Sequence, residues 1–332
     1  MLGAGDYRGL YSIIPTPALA DSSFRPGEPT VNLEETARLV NNLVRAGSAG
    51  IIALGTTGEC ATVPSWDYEP FVRCLAEAVA GRVPLFVGAT ALGQAEVMAR
   101  LAVVRDAGAT GTLLGLPMWQ PMTTPMAVRY YAAVSQAFPE LDIMVYANQR
   151  AFRFPFYDDA DFWAQLADAA PTVSAAKFSR ADPLVRFQAV TRSRIHFMPV
   201  DGMVLDFYGA SPETTTACWA TTASMGPEPA LAIINAVLGG NHAEAEAVAK
   251  DIAWALEPVE RFVSDPAVFS SYNIQIERLR IAAAGYCDPG PIRPPYDVTP
   301  DEYALPSYEV GKRWRTLAEK YGQRNDGSRP PG

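Results

Sequence analysis

The sequence predicts an α/β protein, a (β/α)8 TIM barrel with additional C-terminal helices. Eight short runs of apolar and β-branched residues end by Ala220, and segments with apolar residues at helical spacing separate them. Because these runs are almost continuously apolar, they are typical of strands buried on both faces of a parallel sheet. Eight such units match the usual size of a TIM barrel. The chain also has neither the GxGxxG nor the P-loop motif of doubly wound nucleotide-binding sheets.

The strands and helices follow in chain order from these patterns. The predicted strands are Leu10–Pro15, Gly50–Gly55, Val83–Ala89, Gly111–Leu116, Leu141–Ala147, Val173–Phe178, Ile195–Val200 and Thr214–Ala220. The predicted helices include Leu33–Ala46, Tyr68–Ala80, Gln94–Ala107, Pro125–Ala137, Ala160–Ala169, Pro227–Gly239, Ala243–Val263 and Ile274–Ala284. We therefore expect the barrel over residues 7–225, C-terminal helices of the same domain over 226–321, and a flexible tail over 322–332.

Composition and charge exclude several classes of protein. Of the 332 residues, 49% are hydrophobic and 19% are charged, so the chain can bury a large core. Its 27 lysines and arginines against 36 acidic residues give a net charge of −9, the wrong sign for neutralising phosphates. The N-terminus lacks a signal-peptide pattern, and no apolar run approaches the ~20 residues of a membrane span. We expect a soluble, cytoplasmic protein that binds neither nucleic acid nor membranes.

The cysteines and histidines predict neither a disulfide framework nor a metal site, and no cofactor is expected. The four cysteines form no CxxC pair, and the chain has only two histidines. His242 is interpreted as a solvated loop residue. Side chains without a functional placement are interpreted as buried: Cys60, Cys218, His196, Trp163, Trp254 and Trp314.

Polar residues at the carboxyl ends of the predicted strands indicate an active site, because TIM-barrel enzymes carry theirs at that edge. The second strand runs into Gly55–Glu59 (GTTGE), the fourth into Pro117–Trp119, the fifth into Tyr146–Asn148, and the sixth into Lys177. A desolvated lysine has a lowered pKa, and its neutral amine can attack a ketone. The spacing alone leaves equally open that Lys177 extends to solvent or pairs with Asp201.

The order and spacing of these groups resemble the dihydrodipicolinate synthase/N-acetylneuraminate lyase superfamily of pyruvate aldolases. The shared features are the Gly55–Glu59 turn, Tyr146 at the end of the fifth strand and Lys177 at the end of the sixth. From about Tyr7 to Tyr321, the chain is similar to hydratase-aldolases of polycyclic-arene degradation, which act on trans-o-hydroxy- or trans-o-carboxybenzylidenepyruvate. The stretches that carry this similarity are Val31–Arg38, Gly58–Thr62, Gly115–Trp119, Tyr146–Asn148, Tyr272–Ile274 and Arg293–Tyr296.

The resemblance implies a Schiff-base mechanism on an aromatic 2-oxo acid. The C2 ketone of an aryl-substituted 2-oxobut-3-enoate would condense with Lys177, water would add at C4, and retro-aldol cleavage would release an aromatic aldehyde and pyruvate. Tyr146 would transfer protons. Thr56, Thr57 and Gly58 would hold the substrate carboxylate. The competing interpretation of these three residues is a plain βα turn with a threonine cap, and that of Tyr146 is an aromatic side chain at the rim of the barrel.

Other polar groups are expected to serve the water and the aryl ring. Asn148 and Trp119 can donate hydrogen bonds without being ionised, so we expect them to position the hydrating water. Trp219, Ser270 and Asn273 match positions that resemble the family's aryl-binding groups. It is equally open that Trp219 instead packs inside the barrel and that Asn273 instead lies in the core of its helix packing.

Departures from the family leave the aryl substituent open. In the synthase branch, the tyrosine opens a Tyr-Asn-x-Pro motif followed by an arginine that receives a second carboxylate. Here Asn148 is shifted by one position, and Gln149 and Arg150 follow. Related hydratase-aldolases often carry Pro-Glu at that point and an aromatic residue at the position of Thr57. The sequence therefore does not choose between hydroxyl and carboxylate substituents.

Two other functions are compatible with the pattern. One is another pyruvate-dependent aldolase or a dehydratase of 2-oxo sugar acids from the same superfamily, and the other is a barrel that binds a ligand without turnover. The apolar residues Pro117–Trp119, Phe178 and Trp219 favour a flat aryl group over a sugar acid. The resemblance also implies a homotetramer.

Overall fold

The computed structural model describes residues 1–326 and shows the TIM barrel that the sequence predicts. Its strands are β1 Gly9–Ile13, β2 Gly50–Ala53, β3 Leu85–Val87, β4 Gly111–Leu114, β5 Asp142–Tyr146, β6 Val173–Lys177, β7 His196–Met198 and β8 Ala217–Ala220. The strands are parallel and follow one another in chain order, and β1 pairs with both β2 and β8. A parallel bridge between Val200 and Trp219 joins the β7 side to β8 and closes the barrel.

Helices surround the strands. Within residues 1–326 they are α1 Leu33–Ala46, α2 Ser65–Val79, α3 Gln94–Asp106, α4 Thr124–Ala137, α5 Gln149–Phe152, α6 Ala160–Ala169, α7 Leu184–Val190, α8 Val204–Ala210, α9 Glu228–Leu238, α10 His242–Ser264, α11 Pro266–Ala284 and α12 Asp301–Asp326. Helix α1 has the predicted bounds because both ends are capped: Asn32 accepts a hydrogen bond from the Glu35 N–H, and Gly47 adopts the left-handed conformation with φ 107°.

Aromatic side chains fill the amino-terminal end of the barrel. The ring of His196 stacks on Tyr7 with centroids 5.3 Å apart, and the Tyr7 hydroxyl lies 2.7 Å from Ser174 Oγ. His196 is buried as predicted, and desolvation lowers its pKa to about 4, so it is neutral at physiological pH. The rings of Tyr7, Tyr11 and Phe86 all contact one another. This end is a packed core, which leaves the carboxyl end for a binding site.

Helix α11 begins before its predicted first residue, Ile274. Asp265 caps the helix by accepting hydrogen bonds from the N–H groups of Ala267 and Val268, and proline occupies the first turn. The Asp-Pro pair is a helix start signal, but the polar residues after it hide the apolar periodicity. The earlier start places both Ser270 and Asn273 on the helix.

The C-terminal region differs from the prediction at its end. Helix α12 continues to Asp326, so the segment 322–332 predicted as a flexible tail begins inside a helix, and residues 327–332 lie outside the described part of the chain. Within residues 1–326, every helix is too short or too polar to cross a bilayer.

Most side chains interpreted as structural are buried, and two are not. The prediction is confirmed for Cys218, Trp163 and Trp314. It is wrong for Trp254, which is 48% exposed on the outer face of α10, where the guanidinium of Arg313 covers its ring. Cys60 is only partly buried. His242 is exposed as predicted, but it is the first residue of α10 and not part of a loop.

Candidate active site

Lys177 and Tyr146 lie side by side at the carboxyl end of the barrel. The register between β5 and β6 pairs the last residue of one strand with the last residue of the other, so both side chains leave the sheet at the same level. The Nζ atom of Lys177 lies 4.7 Å from the centroid of the Tyr146 ring and 3.4 Å from that of Trp219 on β8. The ammonium form is therefore held between two aromatic faces, which replace part of its hydration.

Desolvation controls the charge of Lys177. It lowers the pKa of this lysine to about 7, while the negative charge of Glu277 offsets a smaller part of the shift. Among the described residues, Lys177 forms no ion pair, and the predicted alternative partner Asp201 directs its carboxylate to Thr222 and the Gly202 N–H. A substantial fraction of neutral amine is therefore present at physiological pH.

This low pKa makes the amine reactive at an unusual pH. Because a base becomes neutral as the pH rises through its pKa, we expect competitive acetylation of Lys177 to accelerate around pH 7. Lysines in water titrate near ~10.4. The exposed Lys312 on α12 is the internal control. Peptide mass mapping at several pH values measures both rates, and equal pH dependence of the two lysines would contradict a desolvated Lys177.

The Tyr146 hydroxyl belongs to a short chain of hydrogen-bonding groups. It lies 2.8 Å from Thr56 Oγ1 and accepts a hydrogen bond from Asn148 Nδ2 at 3.4 Å. Burial raises the pKa of Tyr146, so the phenol keeps its proton. Asn148 also caps α5, because its Oδ1 accepts a hydrogen bond from the Ala151 N–H. The arrangement gives a protonated phenol a hydroxyl neighbour through which a proton can pass.

The turn after β2 presents free donors to the same space. Leu54 and Glu59 both adopt left-handed backbone conformations, with φ of 56° and 53°, which fold the intervening residues back on the strand. A Cβ at Gly58 would lie 2.6 Å from the Leu54 nitrogen, so glycine is required for this close approach. Among the described residues, the Thr57 hydroxyl makes no hydrogen bond, while that of Thr56 faces Tyr146. Such a turn suits an anionic group.

A buried ion cluster anchors this turn from behind. Glu59 lies 2.8 Å from Arg293 and 3.3 Å from Arg278, and it also accepts the Arg293 backbone N–H at 2.9 Å. All three side chains are at most 1% exposed. Both arginines also donate to the Thr16 carbonyl. The turn is thereby fixed to α11 and to the segment that follows it.

One cavity joins most of the predicted site residues. Its volume is about 860 Å³, which is within the usual range for a small-molecule site. The predicted residues that line it are Thr56, Thr57, Tyr146, Asn148, Lys177, Trp219, Ser270 and Asn273. Gly58 is not among the lining residues. Trp119 lies outside it and is 81% exposed, with its carbonyl bound by Arg153 at 2.8 Å.

Two buried charged residues of the cavity wall were not singled out from the sequence. Glu277 and Arg280 form a buried ion pair on α11, and Arg280 also donates to the Thr221 hydroxyl. Their spacing of three residues is typical of surface ion pairs on helices, so the sequence carries no signal that they face a cavity. Asp201, considered earlier, also lines the cavity and is buried, which raises its pKa. Within residues 1–326, no group of three or more acidic, histidine or cysteine side chains is arranged to hold a metal ion.

Comparisons with known proteins agree with this geometry. Residues 20–152 match the dihydrodipicolinate synthetase family. The trans-o-hydroxybenzylidenepyruvate hydratase-aldolase of Pseudomonas aeruginosa is 39% identical over 328 residues, which cover 96% of each chain. The trans-2'-carboxybenzalpyruvate hydratase-aldolase of Nocardioides sp. strain KP7 is 36% identical, also with 96% of each chain covered. The solved structure of PhdJ bound to a substrate intermediate has a TM-score of 0.89 and 32% identity and covers 96% of this chain and 99% of that one.

Proposed function

The chain belongs to the dihydrodipicolinate synthetase family, and on this premise we propose that it is a class I hydratase-aldolase of aromatic-hydrocarbon breakdown. It hydrates an aryl-substituted 2-oxobut-3-enoate and cleaves the product to an aromatic aldehyde and pyruvate. The observation that carries the proposal is the Lys177 amine, whose pKa of about 7 leaves a substantial neutral fraction, packed between Tyr146 and Trp219 in a cavity large enough for an aryl acid. A Schiff-base lyase needs such an amine, whereas a barrel that only binds a ligand does not.

The first covalent step joins Lys177 to the substrate. The neutral amine attacks the C2 ketone, the carbonyl oxygen takes up a proton, and loss of water from the carbinolamine leaves an iminium conjugated to the alkene. The Tyr146 phenol supplies and recovers the protons through its contact with Thr56. The substrate carboxylate lies against the free Thr57 hydroxyl, at the turn that Gly58 allows.

The iminium then drives hydration and cleavage. Positive charge at nitrogen makes C4 electrophilic, so the oxygen of water bonds to C4 and the proton it loses is balanced by protonation at C3. Removal of the C4 hydroxyl proton breaks the C3–C4 bond, and its electrons enter the enamine as the aldehyde leaves. Protonation at C3 and hydrolysis release pyruvate and restore Lys177.

The wall formed by β8 and α11 receives the aryl group in this proposal. Trp219 offers a flat face, and Ser270 and Asn273 offer hydroxyl and amide groups to the ring substituent. Asn148 positions the hydrating water. Trp119 shares that task only if its loop moves, because the side chain is exposed and lies outside the cavity lining.

Product analysis tests the proposed function directly. The purified protein is incubated with trans-o-hydroxybenzylidenepyruvate and, separately, with trans-o-carboxybenzylidenepyruvate. We expect equimolar aldehyde and pyruvate from at least one of them. Two results would contradict the proposal. One is release of pyruvate without aldehyde from either substrate, and the other is no product from either substrate together with dehydration of a 2-oxo sugar acid.

Loss of the Tyr146 hydroxyl is expected to slow turnover strongly. Tyr146→Phe removes the group that transfers protons but keeps the ring that packs against Lys177. General acid-base catalysis is worth about 10²–10⁴-fold, so we expect kcat to fall by that order while the fold persists. Tyr131→Phe is the control, because Tyr131 is also a buried phenol but lies on α4 outside the cavity. Equal activities of the two variants would exclude Tyr146 from proton transfer.

Asn148→Ala is expected to slow the hydration step. The variant loses both the amide that faces Tyr146 and the cap of α5. In stopped-flow absorbance, we expect slower loss of the conjugated enone signal but little change in cleavage of the 4-hydroxy intermediate supplied directly. If Asn148→Ala hydrates the substrate at the wild-type rate, Asn148 does not position the water.

We also propose the assembly and organisation that the family implies. The protein acts as a cytoplasmic homotetramer, and residues 7–225 and 226–321 form a single domain.

A further inference from the structure

Helix α11 carries a stripe of polar side chains along the wall of the cavity. Ser270, Asn273, Glu277 and Arg280 follow one another at intervals of three or four residues, so they share one face of the helix, and all four line the cavity. Ser270 is exposed, whereas Glu277 and Arg280 are each only 6% exposed. The stripe therefore ends in two buried charges.

Glu277 and Arg280 form an ion pair within this wall. Arg280 Nη2 lies 2.7 Å from both carboxylate oxygens of Glu277 and donates to the Thr221 hydroxyl at 2.8 Å. Attraction within a buried ion pair roughly offsets its desolvation, so two apolar side chains of similar size would stabilise this wall equally well. Among the described residues, the Arg280 Nε–H has no hydrogen-bond partner. Stability therefore does not account for the pair.

The ion pair lies next to the elements that hold Lys177. Arg280 binds Thr221, which follows β8 just after Trp219, and the Trp219 ring lies 3.4 Å from Lys177 Nζ. The negative charge of Glu277 acts on Lys177, since it raises the pKa of that lysine against the larger effect of desolvation. The pair is thus coupled to Lys177 both by packing and by charge.

Other ionisable groups share the site with Lys177. Tyr146, on β5, is a neutral phenol because burial raises its pKa. Asp201, after β7, is buried, which raises its pKa, and its two oxygens accept hydrogen bonds from Gly202 and Thr222. Arg280 carries the opposite sign. Asp158, Glu257 and Glu260 also line the cavity, but among the described residues Glu277 is the carboxylate whose charge raises the pKa of Lys177.

We propose that Glu277, held by Arg280, is a positioning residue whose carboxylate stabilises the cationic iminium formed on Lys177. The inference rests on the proposed Schiff-base function. Attack on the ketone requires a neutral amine, whereas loss of water from the carbinolamine leaves a positive charge on the same nitrogen. An anion partly neutralised by an arginine meets both requirements. It leaves much of the amine neutral before attack and lowers the energy of the iminium in a site that only partly hydrates it.

Reductive trapping of pyruvate as a function of pH tests the inference. Glu277→Gln keeps the shape of the side chain but removes its charge. We expect the midpoint of the trapping rate to move to lower pH by about one unit, because an opposite charge nearby no longer favours the ammonium form. We also expect kcat for aldehyde release to fall about tenfold, with little change in KM. Arg280→Gln leaves Glu277 unneutralised, so its midpoint should move to higher pH.

Two further variants separate the effect of charge from a structural defect. Glu35→Gln is the matched control, because Glu35 is also buried at 9% exposure and pairs with an arginine three residues later, but lies on α1 outside the cavity. It should keep the wild-type profile, and Glu277→Asp should restore most of it. A wild-type midpoint in Glu277→Gln, or shifts of the same sign in the glutamine variants of Glu277 and Arg280, would overturn the inference. Absence of a pyruvate adduct in the wild type would instead refute the proposed function.

Discussion

Lys177→Met is expected to lose carbon–carbon cleavage by on the order of 10⁴-fold or more, because without the amine no iminium can form to accept electrons. Methionine has a similar length and is apolar, so it fills the space between Tyr146 and Trp219 without a charge. The same change removes the cost of desolvating an ammonium group. We therefore expect the melting temperature to stay the same or to rise while activity is lost.

Two measurements check this pair of opposite effects. The rate of aldehyde release gives the loss of activity, and a thermal unfolding scan gives the change in stability. Lys312→Met, on the exposed face of α12, is the control and should be active. Residual cleavage within tenfold of wild type in Lys177→Met would show that another group forms the covalent intermediate.

Glu59→Gln is expected to have the largest effect on stability. The substitution removes the carboxylate that forms ion pairs with the buried guanidinium groups of Arg278 and Arg293. Removal of one partner from a buried ion cluster costs about 3–5 kcal/mol, so we expect the free energy of unfolding in urea to fall by that amount. Because Glu59 also ends the turn that carries Thr57, KM for the substrate should rise in the folded fraction.

An exposed ion pair gives the comparison for this effect. Glu69 pairs with Arg73 at 2.7 Å on the surface of α2, where both side chains are about half exposed. Glu69→Gln should change the free energy of unfolding by less than ~1 kcal/mol. If Glu59→Gln were no more destabilising than Glu69→Gln, the cluster would not anchor the turn.

The barrel and the centre of its site were predictable because they leave local signals. Strands buried on both faces must be apolar, so a lysine that ends one of them, as Lys177 does, is conspicuous. The resemblance to pyruvate aldolases then added Tyr146 and the threonine turn. The register that pairs Tyr146 with Lys177 and the hydrogen bond between the Thr56 and Tyr146 hydroxyls agree with that grouping.

The parts that were missed depend on packing between distant segments. Nothing near Glu277 or Arg280 in the chain distinguishes an inward-facing ion pair from a solvated one, since only the docking of α11 on the barrel buries it. The side chain of Trp254 was placed in the core by residue type alone, but the outer face of α10 leaves it exposed. Trp119 lies on the loop after β4, whose conformation the strand pattern does not determine.

Covalent trapping tests the central claim most directly. The protein is incubated with pyruvate, reduced with borohydride, and analysed by mass spectrometry as the intact chain and as peptides. The Schiff-base mechanism predicts one pyruvate-derived adduct per chain, on the peptide that contains Lys177, and none in Lys177→Met. An unmodified wild-type protein, or an adduct on a different lysine, would contradict it.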